Sequence, residues 1–341
     1  MFVIRPIQEK DLKALEEFAH ATTLGMISLP KDRSLLRNKI LHSMHSFKKQ
    51  ITAPGDEFYL FALENTKTSK VGGICGIYAK TGIKHPIYTY RIETIAPKKE
   101  GLPLPDIIRV LHPAKETNGP SELCALFLSK ELRKEHLGEL LSRSRHLFIS
   151  EHLYRFTDEM HSRLRGFINT SKLTSPFWDG CGKHFFNASF EEVQALHQKE
   201  TAFIGKFLPK YPIYVTLLPK NAQYVIQKTH TTTKPALKML FKEGFTLTDH
   251  IDVLEAGPVL ASKTAEIFSV KNNTLAKIVE MTNEPINAEV HIISNTSLDF
   301  RACYGAIKMV EKGSVILSTD VAKALSVKIG DTIRFIKIHK R

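Results

Sequence analysis

Cysteine is scarce in this chain, and no long apolar run is present. Its four cysteines, Cys75, Cys124, Cys181 and Cys303, are scattered through 341 residues without a CxxC pair. That pattern offers no zinc ribbon or thiol-redox motif and points to reduced residues, mostly in the core. Fifteen histidines show neither HxxxH nor HExxH spacing, so a metal site has no support. No stretch approaches the roughly 20 apolar residues that cross a bilayer. The opening MFVIRPIQEKD passes from a short apolar run straight into charge, which is not a signal-peptide pattern. A cytoplasmic protein without membrane contact is expected. Acid is outnumbered by base, 35 residues against 48, for a net charge of +13. Such a balance suits nucleic acid, a membrane surface or an anionic ligand. Lys and Arg are spread along the chain rather than blocked together, so a ligand with several phosphates or a generally basic surface fits equally.

The length favours two domains. Residues 2–7 form a β-branched run expected as a strand, and Asp11 reads as a helix N-cap before Leu12, Leu15 and Phe18 at helical spacing. Leu36, Ile40, Met44 and Phe47 share one face of a second helix, predicted over 33–47. β-Rich runs at 57–64 and 70–79 flank the polar turn 65–69 and predict a hairpin; 88–95 predicts a further strand. The proline-bearing polar stretch 97–120 reads as a long excursion from the core. A buried-type strand, SELCALFL, follows at 121–128, then a helix from about Gly138. Residues 163–168 predict a strand, and 175–186 a turn leading into a helix. Residues 234–245 predict a helix ended by Gly244, with a strand after it. Beyond AGP (256–258), the expected linker, short runs AEVHIIS, YGAIKMV, GSVILS and DTIRFIKIHK surround one short helix at 320–325, with Gly330 required in a turn. The expected division is 1–258 and 259–341, an α+β domain with a mixed, mostly antiparallel sheet flanked by helices, then a small β-barrel-like domain. No internal repeat or low-complexity tract is present.

The informative stretch is SELCALFLSKELRKEHLGELLSRSR: an apolar strand ends, a basic loop follows, and a helix begins beside a glycine. Backbone amides and the dipole at such a helix start suit a pyrophosphate. The stretch resembles the acyl-CoA loop of the GNAT superfamily, R/Q-x-x-G-x-G/A, with Arg133 first, Gly138 last and His136 where the middle glycine is usual. By spacing alone an ordinary polar loop fits as well. Longer stretches resemble the arginine N-succinyltransferase family in unbroken order: IRP (4–6), SLPKDRSLL (28–36), GICGI (73–77), YTYR (88–91), SELCALFL, LLSRSR (140–145), RGF (165–167), SPFW (175–178), GKHFF (182–186), AFI (202–204), PIY (212–214), PAL (235–237), and EGF with IDVLEAGP (243–258). The resemblance covers essentially the whole chain.

It implies transfer of a succinyl group from succinyl-CoA to the α-amino group of L-arginine, the first step of arginine breakdown, by direct attack in a ternary complex. Its proton-transferring histidine falls on His230 and its succinyl-CoA contact on Leu126. Imidazole can deprotonate an ammonium and reprotonate a thiolate near neutral pH. From the residues alone, His230 also fits a surface histidine in a Thr-rich turn, and Leu126 an ordinary core leucine. The expected CoA-binding set is Leu126, Leu128, Arg133, His136, Leu137 and Gly138; the expected substrate-binding set is Tyr90, Arg91 and Arg165. CoA is a co-substrate here, and no resident cofactor is expected. The resemblance also implies a homodimer or pairing with a related subunit. Family acids are absent at Tyr78, Arg163 and Asn169, Leu164 stands where Met is usual, and Glu93 replaces a usual Gly. Each charged hydrogen bond to a guanidinium is worth roughly 1.5–3 kcal/mol, so ornithine or a related amine stands as the alternative acceptor, and another acyl-CoA as the alternative donor. A non-catalytic protein binding nucleic acid through the basic surface is the reading from a different class.

Overall fold

The computed structural model describes residues 1–21, 29–98, 100, 102–103, 105–133, 136–199 and 201–338. Ser28 of SLPKDRSLL and the last residues of DTIRFIKIHK lie outside them. Ten strands build the main sheet: β1 (Phe2–Pro6), β2 (Phe58–Asn65), β3 (Val71–Tyr78), β4 (Ile87–Ile95), β5 (Ile108–Glu116), β6 (Ser121–Leu128), β7 (Glu159–Arg163), β8 (Ile213–Tyr214), β9 (Thr246–Asp252) and β10 (Pro258–Lys263). Their order is 1-2-3-6-7-10-9-4-5-8, antiparallel except between β6 and β7. The expected mixed, mostly antiparallel sheet is therefore present.

Helices α1 (Leu12–Ala21) and α2 (Arg33–Lys48) cover one face of this sheet, and α3 (Leu137–Glu151) the other. The run FYLFAL of β2 is apolar throughout because both its faces are covered: Phe58, Leu60 and Ala62 pack toward α1 and α2, Tyr59, Phe61 and Leu63 toward α3. A second core gathers Tyr90, Leu111 and Ile251 from the far end of the sheet under Phe177, Trp178, Val193 and Val225 of the short helices that follow.

The remaining strands, β11 (Thr274–Thr282), β12 (Val290–Asn295), β13 (Ala302–Glu311), β14 (Ser314–Ser318) and β15 (Thr332–Lys337), pair in the order 12-15-11-14-13, and β13 returns to β12. This closes a small barrel, with the helix Thr319–Leu325 packed against it and Gly330 at φ +93° in the turn before β15. β1 pairs with both β2 and β13, joining barrel and main sheet edge to edge.

Four local expectations are corrected. Asp11 ends the first turn instead of capping it: Gln8 is the cap, and the Asp11 carboxylate takes the Gln8 N–H at 2.8 Å and a bidentate Arg5 guanidinium at 2.7 and 2.9 Å. The stretch 97–120 contains β5, paired with β4 along nine positions. Residues 163–168 are not a strand; β7 ends at Arg163, and the chain beyond makes an isolated bridge from Gly166 to Thr229. The AGP segment is not a free linker: all three residues are buried, and Pro258 opens β10, which pairs with β7 and β9.

Glycine is obligatory at two of these places. A Cβ on Gly166 would lie 2.1 Å from the Glu255 carbonyl oxygen, and one on Gly257 2.1 Å from that of Leu164. RGF and AGP thus cross backbone against backbone. Gly166→Ala is expected to cost about 1–3 kcal/mol or more, read as a lower urea midpoint than wild type. An unchanged midpoint would show that the crossing relaxes freely.

Candidate active site

The site is organised by the place where β6 and β7 stop pairing. Their parallel ladder runs for two pairs, Ser121 with Met160 and Glu122 with His161. Beyond it β6 bulges: Gly76 faces Cys124 while Ile74 faces Phe127, and Ala125 sits in the left-handed region at φ 53°. The Arg145 guanidinium, buried beneath the sheet, donates to the carbonyls of Gly76 and Cys124 at 3.3 Å each and braces the bulge. Beyond these two pairs β6 runs on to Leu128 and β7 to Arg163, with Arg165 just after it, and the two are no longer paired with each other. An extended ligand with amides can lie in such an opening as an added strand does.

At the top of β6, the structure brings the anion-loop residues together. The Arg133 Nε donates to the Leu128 carbonyl at 3.2 Å, which holds the guanidinium over the strand end. α3 begins at Leu137, with His136 as its N-cap at φ 57° and ψ 8° and no capping bond from its side chain. Histidine tolerates this left-handed region better than most side chains, though glycine enters it more readily. A Cβ on Gly138 would meet only the Leu128 side chain, at 3.9 Å, so the glycine fronts open space. Leu126 and Leu128 are half-buried against the main core, and Leu137 is fully buried.

Across the opening lies the RGF segment. The His230 N–H donates to the Arg165 carbonyl at 2.9 Å. The His230 ring is half-buried, capping the short turn Thr231–Thr233 that leads into the helix Lys234–Lys242. Its Nδ1 lies 2.8 Å from Thr232 Oγ1 and accepts a longer contact, 3.3 Å, from the Thr232 N–H. The tautomer that donates Nδ1–H to Thr232 Oγ1 gives up the Thr232 N–H contact and leaves the lone pair on Nε2, whereas the tautomer that accepts that N–H carries its proton on Nε2. Burial first, and the Arg165 charge second, hold the His230 pKa below the usual 6.5, so the ring is neutral at physiological pH.

On the other side of the segment, the buried Glu255 carboxylate accepts from Gly166 N–H at 3.0 Å and from Gln194 Nε2 at 2.6 Å. The Arg165 Nε stands 3.7 Å from it, while Arg165 Nη2 is buried without a hydrogen-bond partner among the described residues. A buried guanidinium nitrogen of this kind is chemically suited to a carboxylate. Burial raises the Glu255 pKa above the usual carboxylate range, against the pull of Arg165. Glu255 and Gln194 carried no sequence expectation, although Glu255 lies within IDVLEAGP.

Tyr90 and Arg91 are placed apart from this segment. Tyr90 is 1% exposed in the second core, edge-on to Phe177. Arg91 is exposed on β4, opposite His250. Three of the divergent positions have local partners. Arg163 pairs with the Glu122 carboxylate, Tyr78 takes a hydrogen bond from Lys39 Nζ at 3.0 Å, and Asn169 caps its own turn through Ser171 and Lys172. The four cysteines are free thiols; burial pushes Cys75 up to about 12.

Residues 2–269 match the family described as arginine N-succinyltransferase beta subunit, and 275–337 that described as its C-terminal domain. The chain belongs to the arginine N-succinyltransferase family. Arginine N-succinyltransferases of Salmonella schwarzengrund (strain CVM19633) and Salmonella enteritidis PT4 (strain P125109) are each 32% identical to it over 340 residues, covering 99% of this chain and 98% of theirs. The solved arginine/ornithine succinyltransferase subunit AI of Pseudomonas aeruginosa superposes with a TM-score of 0.88 at 31% identity, over 100% of this chain and 99% of that one. Membership makes this arginine N-succinyltransferase relative an acyltransferase, and the barrel belongs to the family architecture. Among the described residues, no helix is long and apolar enough to cross a membrane, and no group of three His, Cys, Asp or Glu side chains could hold a metal ion.

Proposed function

We propose that this chain transfers the succinyl group of succinyl-CoA to the α-amino group of L-arginine. The observation that carries the reading is the opening between Leu126 and Arg165, with an anion-binding helix start at one end and His230 beside the other. In this arrangement Arg133 and the amides of Leu137 and Gly138 hold the pyrophosphate, and the pantetheine arm runs along Leu126 and Leu128. Arg165 Nη2 takes a substrate carboxylate. His230 Nε2 accepts a proton from the ammonium, and the freed amine attacks the thioester carbonyl. The tetrahedral adduct loses its second nitrogen proton to solvent and collapses to the amide, breaking the C–S bond, and the imidazolium returns its proton to the CoA thiolate. The burial-raised thiols leave no cysteine suited to a covalent intermediate.

The local partners of Arg163, Tyr78 and Asn169 support arginine as acceptor, because none presents an unpaired cation to a guanidinium. Ornithine is the second acceptor to examine, as the Pseudomonas relative is named for both amines. A cytoplasmic setting and assembly as a homodimer or with a related subunit belong to the same reading. The test incubates the full chain with succinyl-CoA and arginine, ornithine or other amines, following thiol release. Release is expected with arginine; release with none of the amines overturns the reading, and release with ornithine alone, or only from acetyl-CoA, reassigns the acceptor or the donor.

A further inference from the structure

We infer that Tyr304, on strand β13 of the C-terminal barrel, is a positioning residue for the CoA-binding turn, so that the barrel takes part in acyl-CoA binding. The inference rests on the CoA reading of that turn. His136 holds a left-handed conformation that costs a non-glycine residue on the order of 1–2 kcal/mol, and its own side chain does not cap the helix. Such a conformation persists where its surroundings over-determine it. Here the surrounding group comes from the barrel: Tyr304 Oη donates to the His136 carbonyl at 2.9 Å.

The same carbonyl accepts the first N–H bonds of α3, from Glu139 at 2.9 Å and from Leu140 at 3.4 Å. The Tyr304 hydroxyl joins them on that oxygen. The His136 carbonyl and the Leu137 N–H belong to one rigid peptide plane, so fixing the oxygen also fixes the N–H at the helix start. That N–H is the first of the amides assigned to the pyrophosphate. The barrel grips α3 twice more further along, where Arg143 Nη1 donates to the Lys337 carbonyl at 2.7 Å and Arg334 Nε to the Glu151 carboxylate at 2.5 Å. Of these three ties, the Tyr304 hydroxyl stands at the ligand end.

The phenyl body of Tyr304 packs against the main core, so Tyr304→Phe keeps the packing and removes one hydroxyl. In the full chain, calorimetric titration with coenzyme A is expected to show Kd raised about 2–12-fold. KM for succinyl-CoA should rise by the same factor, with kcat at saturation within about twofold and KM for the amine unchanged. A second variant separates positioning from general loosening. Glycine adopts the left-handed conformation without strain, so in a His136→Gly background the Tyr304→Phe effect should shrink below about twofold. Wild-type affinity in Tyr304→Phe, an equal loss in both backgrounds, or a fall in kcat with KM intact each overturns the inference. A wild-type chain that fails to bind coenzyme A overturns the CoA reading itself, and that trace is recorded before any variant.

Discussion

His230→Ala is expected to lower kcat by about 10²–10⁴ while KM for succinyl-CoA stays within about twofold. The split follows from where the ring sits. Its backbone is tied to the Arg165 carbonyl and its Nδ1 faces Thr232, so only Nε2 remains to exchange protons. The residues proposed to hold CoA lie on β6, at the start of α3 and in the loop between them, and truncating the imidazole leaves them unchanged. Because burial and Arg165 hold its pKa below 6.5, kcat should be flat above neutrality and fall as pH drops through the lowered value. Arg165→Met removes the repelling charge, so the acid limb of that profile should move to higher pH. Full activity in His230→Ala would remove the assigned role, and an acid limb that stays put in Arg165→Met would remove the coupling.

Glu243→Ala is expected to destabilise the fold by about 3–5 kcal/mol, lowering Tm by roughly 4–7 °C. Glu243 follows the helix Lys234–Lys242, and its buried carboxylate is the anion of a sequestered cluster. Arg143 Nε stands 3.1 Å away, His146 Nδ1 3.1 Å, and Ser269 donates from Oγ at 2.8 Å and from its backbone at 2.9 Å. Arg143 and His146 are 1% and 0% exposed, so deleting the carboxylate leaves the buried guanidinium with Glu139 as its one remaining ion-pair partner among the described residues and takes from His146 the carboxylate it faces. Its cationic and hydrogen-bonding partners outweigh burial and hold the Glu243 carboxyl far below its ordinary 4.5. A depressed pKa contributes stability that is whole above the unfolded value and is lost as pH falls through the folded one. His146, kept neutral by burial, adds to the acid sensitivity, since the unfolded chain gains a proton below about 6.5 that the folded one refuses. Wild type should therefore lose stability progressively below pH 6.5, and Glu243→Ala should show a shallower acid limb. An unchanged Tm in the variant would show that the cluster relaxes around the loss.

What could be read from the sequence was whatever announces itself locally. The hairpin of β2 and β3, helix α2, and the helix ended by Gly244 each carry an apolar period and a turn signal within one window. β5 did not, because it is polar and contains Pro113. The structure shows why proline is tolerated: β8 pairs only with Val110 and Leu111, so Pro113 faces no neighbour on that edge. The run that forms β11 drew no expectation because it is half exposed, with Ala276 and Ile278 alone fully buried. The site divides the same way. Arg133, His136 and Gly138 form one contiguous motif, and the structure gathers them at the head of α3. Glu255, Gln194 and Tyr304 act on residues 89, 61 and 168 positions away, and no local pattern carries a pairing of that range.

The pairing of β1 with β13 imposes an order on how the molecule is made. Val3 meets Cys303, a partner translated three hundred residues later. At roughly 5–20 residues per second, the outer edge of β1 waits on the ribosome for tens of seconds with its hydrogen-bonding groups uncovered. Throughout that interval the nascent main sheet presents a strand edge that any neighbouring chain could extend. The final barrel strands thus act as a cap on the earliest one, and shielding by a chaperone during synthesis would matter most before they emerge.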